Sequence, residues 1–179
     1  MAFYTGRGDE GWTTFFNRAQ KISKSSPRIE ALGALDELNS LLGLCKVKAE
    51  SAKNVHRRVV NILEDTQNDL FAIQAELAGF EKGFKKDRME KIEEMIQNTG
   101  KKLPEIKSFV IPGGSELSAL LDCARAVARR AERRVAALKN EEKIKPEILA
   151  YLNRVSSLLF VLARLANKNH DITEKEPGY

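Results

Sequence analysis

The segment that most constrains the fold lies between the Pro112-Gly113-Gly114 break and Leu138. Apolar residues recur there at helical spacing, and Ser115 stands directly before them, where an N-cap residue belongs. The spacing predicts a long amphipathic helix with one face in the protein core. That face comprises Leu117, Leu120, Leu121, Ala124, Ala128, Ala131, Val135 and Leu138.

A charged stripe follows the same helix, roughly a third of a turn from the middle of its apolar face. Guanidinium groups held on a helix suit a planar or polyanionic partner such as phosphate. A solvated helix crossed by Arg–Glu ion pairs explains the same residues equally well, so this segment alone leaves both interpretations open. The stripe consists of Arg125, Arg129, Glu132 and Arg133, whereas Arg130 and Arg134 are expected to point further outward.

Similar apolar spacing predicts four further helices, over residues 28–49, 55–79, 87–98 and 146–167. Four long helices and one short helix, joined by brief links with almost no strand content, indicate an all-α five-helix bundle. We expect one domain over residues 1–179, with an N-terminal loop region at 1–26. The polar tail at 168–179 is expected to be frayed.

The first of these helices is rich in leucine on most of its circumference, so we expect it to be buried on several sides. Asp36 belongs to a narrow polar stripe on this helix. Because an unpaired buried charge is costly, a carboxylate in this setting needs a cation, and Arg125 is the candidate partner. The alternative is an exposed Asp36 on a helix that is less buried than its composition indicates.

Glycines and threonines are concentrated in the N-terminal segment FYTGRGDEGWTTFF, residues 3–16. Glycines that tolerate positive φ allow backbone N–H groups to converge on an anion, and threonine hydroxyls add donors. The segment lacks the Gly-Lys-Ser/Thr ending of a Walker A loop. Taken alone, the segment is better explained as an ordinary turn. Its candidate anion-binding residues are Thr5, Gly6, Arg7, Gly8, Thr13 and Thr14, with Lys24 following in a polar connection.

Composition argues against several classes of function. The chain carries 30 Lys plus Arg against 25 Asp plus Glu, but the signs are interspersed, so nucleic-acid binding is not favoured. No apolar run reaches about 18 residues and no signal-peptide pattern is present, so we expect a cytoplasmic protein without a membrane partner. Cys45 and Cys123 lie among apolar helix positions and are predicted to be buried thiols.

Histidine usage argues against catalysis by a protein-bound metal. The two histidines, His56 and His170, are far apart and lack Glu-x-x-His spacing. A Ser-His-Asp or Cys-His set cannot be assembled from so few histidines. What remains is an anion site that binds and positions a polyphosphate, with the difficult chemistry supplied by a cofactor.

Five segments of the sequence together form a distinctive pattern. In chain order they read YTGRGDEGWTT, RIEALGALDELNS, LEDTQNDLFAIQAELAG, FVIPGGSELSALLDCARAVARRAERRV and YLNRVSSLLFVLARLAN, and together they span nearly all of residues 3–167. On these segments the chain resembles the trimeric PduO-type ATP:cob(I)alamin adenosyltransferases. It departs from the family pattern at Gly6-Arg7, where Lys-Thr or Arg-Thr is frequent, and at Asp122, where His is frequent. The first departure bears on the phosphate contacts of the loop, and the second indicates a different corrin-side contact.

The resemblance implies a homotrimer with active sites between subunits. It implies transfer of the 5′-deoxyadenosyl group from ATP to cobalt(I) of a corrinoid, with Mg²⁺ accompanying ATP. Phe109 would lie against the lower face of the corrin ring, and Asp36 with Arg125 would tie subunits together. A reductase and an adenosylcobalamin-dependent enzyme are the implied partners. The implied ATP site comprises Thr5, Gly6, Arg7, Gly8, Thr13, Thr14, Lys24, Arg129, Arg130, Ala131, Glu132, Arg133 and Asn153.

Two other functions are compatible with the sequence. A non-catalytic ATP- and corrinoid-binding carrier or regulator on the same bundle would bind both ligands without adenosylation. A basic scaffold that binds nucleic acid through its arginine-rich helix would lose affinity steeply with salt and would need neither ligand. Phe109 and the complete RRAER string favour the transferase.

Overall fold

The computed structural model describes residues 3–15, 21–52, 57–80, 84, 87–140 and 142–178. It confirms the all-α fold class predicted from the apolar spacing. Within the described residues, strand structure is confined to one pair of two-residue strands, β1 and β2. The helices are α1 (Pro27–Ser51), α2 (Arg57–Leu77), α3 (Asp87–Gly100), α4 (Glu116–Ala137) and α5 (Pro146–Asn169), a 3-10 turn covers Leu138–Asn140, and the strands are Trp12–Thr13 and Ile22–Ser23.

The start of α4 follows the predicted capping chemistry. Ser115 caps α4, and its side chain accepts a hydrogen bond from the backbone N–H of Ser118. Ser26 caps α1 in the same way, with Pro27 in the first turn. The predicted start of the second helix at Val55, together with His56, lies outside the described residues.

The core is built around α4, which packs against α1 on one side and α5 on the other. Helix α2 packs on α1, and the short α3 packs on α5. Of the apolar positions predicted for α4, all are buried except Leu120, which is half-buried. By length and composition α5 could cross a membrane, but more than half of its apolar segment is buried inside the bundle.

Two predictions about burial need correction. Helix α1 is not covered on all its apolar sides, because Leu44 is 52% exposed and Val47 is 60% exposed. Cys45 is buried as expected, but Cys123 is exposed on α4. Both corrections concern outward-facing positions of helices whose opposite faces fill the core. In this single chain these apolar positions are left uncovered.

The C-terminal tail is also ordered differently from the expectation of a frayed segment. The backbone N–H of Ile111 donates to the carbonyl of Lys175 at 2.8 Å. Arg164, which is only 7% exposed, forms an ion pair with Glu174 at 2.8 Å. The tail therefore runs beside the segment 102–111, and the two border a cavity of about 780 Å³. Polar residues anchor this tail by specific bonds, which the apolar pattern of the sequence could not indicate.

Candidate functional site

The N-terminal glycines form a tight, backbone-bonded loop. Gly6 and Gly11 have φ values of +67° and +80°, a region that side-chain-bearing residues rarely adopt. The backbone N–H of Asp9 donates to the Gly6 carbonyl, and that of Gly11 donates to the Gly8 carbonyl, both at 3.2 Å. The antiparallel pairing of β1 with β2 closes the loop, with Trp12 opposite Ser23.

This loop surrounds a cavity of about 740 Å³. All six loop residues proposed from the sequence line it: Thr5, Gly6, Arg7, Gly8, Thr13 and Thr14. Four further residues line it as well: Asp9, Glu10, Trp12 and Lys21. Two basic and two acidic side chains therefore face the same space. A polyanion bound here requires additional positive charge from outside the loop.

Lys24 lies at the edge of the loop. Its Nζ donates to the carbonyl of Gly8 at 2.7 Å. A Cβ built on Gly8 would lie 2.9 Å from this Nζ, so a side chain at Gly8 would displace the lysine. The structure therefore places the ammonium group against the loop, where it stabilises the loop backbone.

The arginines of α4 fall into two groups. Arg130 forms an ion pair with Glu37, and Arg134 approaches Glu30 at 3.8 Å. These contacts direct both side chains towards α1. Arg129 and Arg133 are exposed, and neither has an ion-pair partner among the described residues. Two guanidinium groups on the outer face of α4 are thus available to an anion.

Asn153 belongs to a hydrogen-bonded chain that connects α4, α5 and α3. Its amide donates to Glu132 at 3.0 Å and accepts from Arg154 at 3.0 Å. Arg154 also pairs with Glu93 at 3.0 Å. The amide and the Glu132 carboxylate are therefore positioned by fixed neighbours. Ala131, by contrast, is fully buried, so its side chain belongs to the core.

The predicted pairing of Asp36 with Arg125 is wrong for the single chain. Asp36 is exposed on α1, and Arg125 instead lies 3.4 Å from Asp122, three residues earlier on α4. Asp36 lies on the side of α1 that faces away from the core. Its carboxylate is therefore solvated and needs no cationic partner within one subunit. The alternative of an exposed Asp36 therefore describes this chain.

Phe109 is 77% exposed, which is unusual for a phenylalanine. It precedes the turn formed by Pro112, Gly113, Gly114 and Ser115, which leads directly into α4. Ile106 and Ile111 in the same segment are 48% and 46% exposed. An apolar surface of this kind, beside the start of an arginine-bearing helix, suits a large flat ligand with an apolar face.

The structure thus brings the loop residues together but does not add the arginines to them. Neither Arg129, Arg133 nor Asn153 lines the loop cavity. Sequence reasoning did not identify the other lining residues. Asp9, Glu10 and Trp12 share the glycine-rich segment and could have been included for that reason. Lys21 joins the cavity only through the β1–β2 pairing, which no local pattern indicates.

Metal-binding and nucleophilic groups are not prominent in the described part of the chain. Within it, no three His, Cys, Asp or Glu side chains are grouped so that they could hold a metal ion. Burial, and to a lesser extent the neighbouring Cys123, raises the pKa of the Cys45 thiol to about 12. Burial also raises the pKa of Tyr151 above its usual range. Both groups stay protonated at neutral pH, and neither lines the loop cavity.

Fold and site together define a class: a helical bundle whose glycine-rich loop and exposed arginines suit a polyphosphate ligand. The family profile described as cobalamin adenosyltransferase matches residues 3–166. The chain therefore belongs to the cobalamin adenosyltransferase family.

Similar proteins agree with this assignment. The chain is 38% identical to corrinoid adenosyltransferase PduO of Citrobacter freundii over 178 residues, 96% of this chain and 51% of that protein. It therefore spans about half the length of that relative. It is 36% identical to the corrinoid adenosyltransferase of Bacillus subtilis over 180 residues, 98% of this chain and 92% of that protein.

A solved structure shares the fold over nearly the whole length of both chains. It is a variant PduO-type ATP:corrinoid adenosyltransferase from Lactobacillus reuteri, complexed with cobalamin and ATP. Its TM-score with this chain is 0.90 at 33% identity, and the match covers 98% of this chain and 96% of that one.

Proposed function

We propose that this protein transfers the 5′-deoxyadenosyl group of ATP to cobalt(I) of a corrinoid and releases triphosphate. The observation that carries the proposal is a divided anion site: a hydroxyl- and glycine-lined cavity, and two exposed arginines elsewhere on the chain that have no ion-pair partner among the described residues. Family membership and the ATP and cobalamin held by the Lactobacillus reuteri relative support the choice of ligands.

ATP is held from two sides in this proposal. Thr5, Gly6, Arg7 and Gly8 of the loop, with Thr13 and Thr14, surround one part of the nucleotide. Lys24 then exchanges its bond to the Gly8 carbonyl for a triphosphate oxygen. Mg²⁺ arrives with the triphosphate and needs no dedicated protein cage. The α4–α5 side of the site is formed by Arg129, Arg130, Glu132, Arg133 and Asn153, with Ala131 packing beneath them.

The chemistry is a nucleophilic displacement in which the two substrates react directly. Cobalt(I) attacks the 5′ carbon of ATP, the cobalt–carbon bond forms, and the carbon–oxygen bond breaks. The electron pair of that bond leaves with triphosphate, so no general base is needed. The protein's contribution is orientation, worth about 7–11 kcal/mol in favourable cases, and stabilisation of the charge that develops on the leaving group.

Phe109 favours the reduction of cobalt(II) to cobalt(I), which precedes the transfer. An aromatic ring packed beneath the corrin excludes water and the cofactor's own base from the lower axial position. Cobalt(II) without that ligand is easier to reduce, because removal of an axial donor changes the potential of the metal. The 77% exposure of Phe109 supports this role, because the residue is open to a ligand and is not part of the described core.

The two halves of the site come together when three copies associate. Helix α1 carries Asp36, Ser40, Leu44 and Val47 along one exposed stripe, and its apolar members need a covering surface. In the trimer, Asp36 reaches Arg125 of the adjacent copy, and the loop of one copy meets α4 of another. We further propose a cytoplasmic enzyme supplied by a reductase, whose product passes to an adenosylcobalamin-dependent enzyme. Neither nucleic acid nor membrane has a role in this proposal.

The deciding experiment is spectroscopic. Reduced cobalamin, Mg²⁺ and ATP are mixed with the purified protein, and the absorption spectrum is followed for a light-sensitive cobalt–carbon product. A sample without ATP is the control. Binding of both ligands without product would identify a carrier or regulator instead. Salt-sensitive binding of nucleic acid, with no response to ATP or corrinoid, would identify the basic scaffold.

A further inference from the structure

The turn of residues 112–115, between Phe109 and α4, is held by side chains from two helices. The backbone N–H of Gly113 donates to Oδ2 of Asp122 at 3.0 Å. The Gly113 carbonyl accepts from Nδ2 of Asn167 at 2.8 Å and from the Ser118 hydroxyl at 3.2 Å. The backbone N–H of Ser115 donates to Oδ1 of Asn167 at 2.9 Å. Both polar groups of the Gly113 residue are therefore occupied.

Asn167 fits this turn closely. It lies near the end of α5, is 4% exposed, and uses both ends of its amide on the turn. Gly114, at φ +118°, passes so close that an added Cβ would lie 2.3 Å from Oδ1 of Asn167. Buried amides are retained where their bonds are all made, because a lost partner leaves a desolvated group unsatisfied.

The same bonds determine where Phe109 lies. Its ring is exposed, so packing does not fix it, and only the backbone on either side sets its position. After Phe109 the chain is tied at Ile111, whose N–H is bonded to Lys175, and again at Gly113. Before Phe109 it is tied at Pro104, whose carbonyl accepts from Arg164 at 3.1 Å.

We propose that Asn167 and Asp122 are positioning residues that fix the 112–115 turn and thereby hold Phe109 at the lower face of the corrinoid. The proposal rests on the function proposed above. Asp122 serves two purposes, because its other oxygen lies 3.4 Å from Nε of Arg125. It thus couples the turn to the arginine that we place at the subunit contact.

Asn167→Ala tests the proposal by separating two routes to product. From cobalt(II) with a reductant, the rate should fall by about 10- to 100-fold, as is typical when a supporting residue is lost. From pre-reduced cobalt(I), the rate should change by less than about threefold, and the dissociation constant for ATP should be unchanged. Equal losses on the two routes would overturn the positioning role.

A double variant shows whether Asn167 acts through Phe109. Phe109→Ala alone should slow the cobalt(II) route and spare the cobalt(I) route. If Asn167 works by placing that ring, adding Asn167→Ala to Phe109→Ala should produce little further loss. Losses that multiply in the double variant would show that the two residues act independently, against the proposal.

Thr66→Ala is the control for lost stability. Thr66 is 2% exposed and donates one hydrogen bond, to the carbonyl of Ile62 at 2.8 Å, inside α2. It should affect the two routes equally. If Asn167→Ala does not fold, Asn167→Asp is used, because it keeps the acceptor for Ser115 and loses the donor to Gly113. The same split between the routes is then expected, and its absence counts against the proposal.

Hydrogen exchange in the ligand-free protein gives a readout that does not depend on activity. Exchange of the Gly113 and Ser115 amides should accelerate about tenfold or more in Asn167→Ala. Gln97→Ala, at an exposed position of α3, should leave both unchanged. Unaltered exchange in Asn167→Ala would show that Asn167 does not hold the 112–115 turn. A wild-type protein that forms no cobalt–carbon bond would overturn the proposed function and this role with it, whereas product formed with equal losses overturns this role alone.

Discussion

Arg129, like Arg133, is exposed on α4 and has no carboxylate partner in the described part of the chain, whereas Arg130 and Arg134 are paired. Arg129→Ala should leave the bundle folded, with a change in unfolding free energy within about 0.5 kcal/mol, since an exposed, unpaired side chain contributes little. Turnover with ATP should fall by about 100-fold or more, because a charge that stabilises the departing triphosphate is lost. The measurements are the initial rate of cobalt–carbon bond formation and a urea unfolding curve.

Arg134→Ala is the matched control for this prediction. Arg134 is exposed on the same helix but pairs with Glu30. An exposed pair of this kind is worth about 0–1 kcal/mol, so its loss should affect the fold slightly. Activity close to wild type in Arg129→Ala, or an equal loss of activity in Arg134→Ala, would contradict the role assigned to Arg129.

The buried thiol of Cys45 leads to a prediction about how the free energy of unfolding depends on pH. Its pKa is raised from 9.0 to about 12 by burial, so above pH 9 the unfolded thiol ionises while the folded thiol remains neutral. The unfolded state then binds fewer protons, and the stability contributed by the neutral thiol is lost as pH rises from 9 towards 12. For this one group the free energy of unfolding should fall by up to about 1.4 kcal/mol per pH unit.

Urea unfolding at a series of pH values checks this prediction. Cys45→Ala should show a shallower decline above pH 9 than the wild type. Cys123→Ala removes the exposed thiol and should retain most of the wild-type slope. Identical slopes in the wild type and Cys45→Ala would show that the buried thiol does not contribute.

At the scale of the element, the start of α4 depends on its cap. The Ser115 side chain accepts from the Ser118 N–H at 3.2 Å. Ser115→Ala should lower the free energy of unfolding by about 0.5–2 kcal/mol, because a donor of the first turn loses its partner. Ser115→Asp should recover most of the loss, since a carboxylate also caps a helix and favours its N-terminus. Chemical denaturation measures both, and a neutral Ser115→Ala would contradict the capping role.

The helices could be predicted because their signals are local. The apolar spacing of α4, Pro27 at the start of α1 and Ser115 before α4 each depend on neighbours within a few residues. The ordered tail could not be predicted in this way. The hydrogen bond between Ile111 and Lys175 joins residues that are distant in sequence. The ion pair of Arg164 with Glu174 joins two polar residues, which the spacing of apolar residues does not indicate.

At the scale of the whole molecule, the candidate site also has a part that local sequence predicts and a part that it does not. The six loop residues were predicted together because they share one glycine-rich segment, and they line one cavity. The pairing of Asp36 with Arg125 was inferred from leucine content, which does not distinguish a core face from a face between subunits. The exposed Asp36, Leu44 and Val47 lie on a surface that the single chain leaves uncovered.

That surface gives the last prediction, on assembly. Leu44 is 52% exposed on the stripe that also carries Asp36, and we place this stripe in the contact between copies. Leu44→Asp should shift the protein from the proposed trimer towards monomer in sedimentation equilibrium, because a carboxylate would be buried without a partner. Gln97→Asp adds the same charge to an exposed position of α3 and should leave the trimer intact.

Asp36→Ala should weaken association while leaving the helical content of the chain unchanged, since Asp36 is exposed within one subunit. Adenosylation should fall with the fraction of trimer in both α1 variants, because the loop and Arg129 then no longer meet. A monomeric wild type with full activity would refute the divided site.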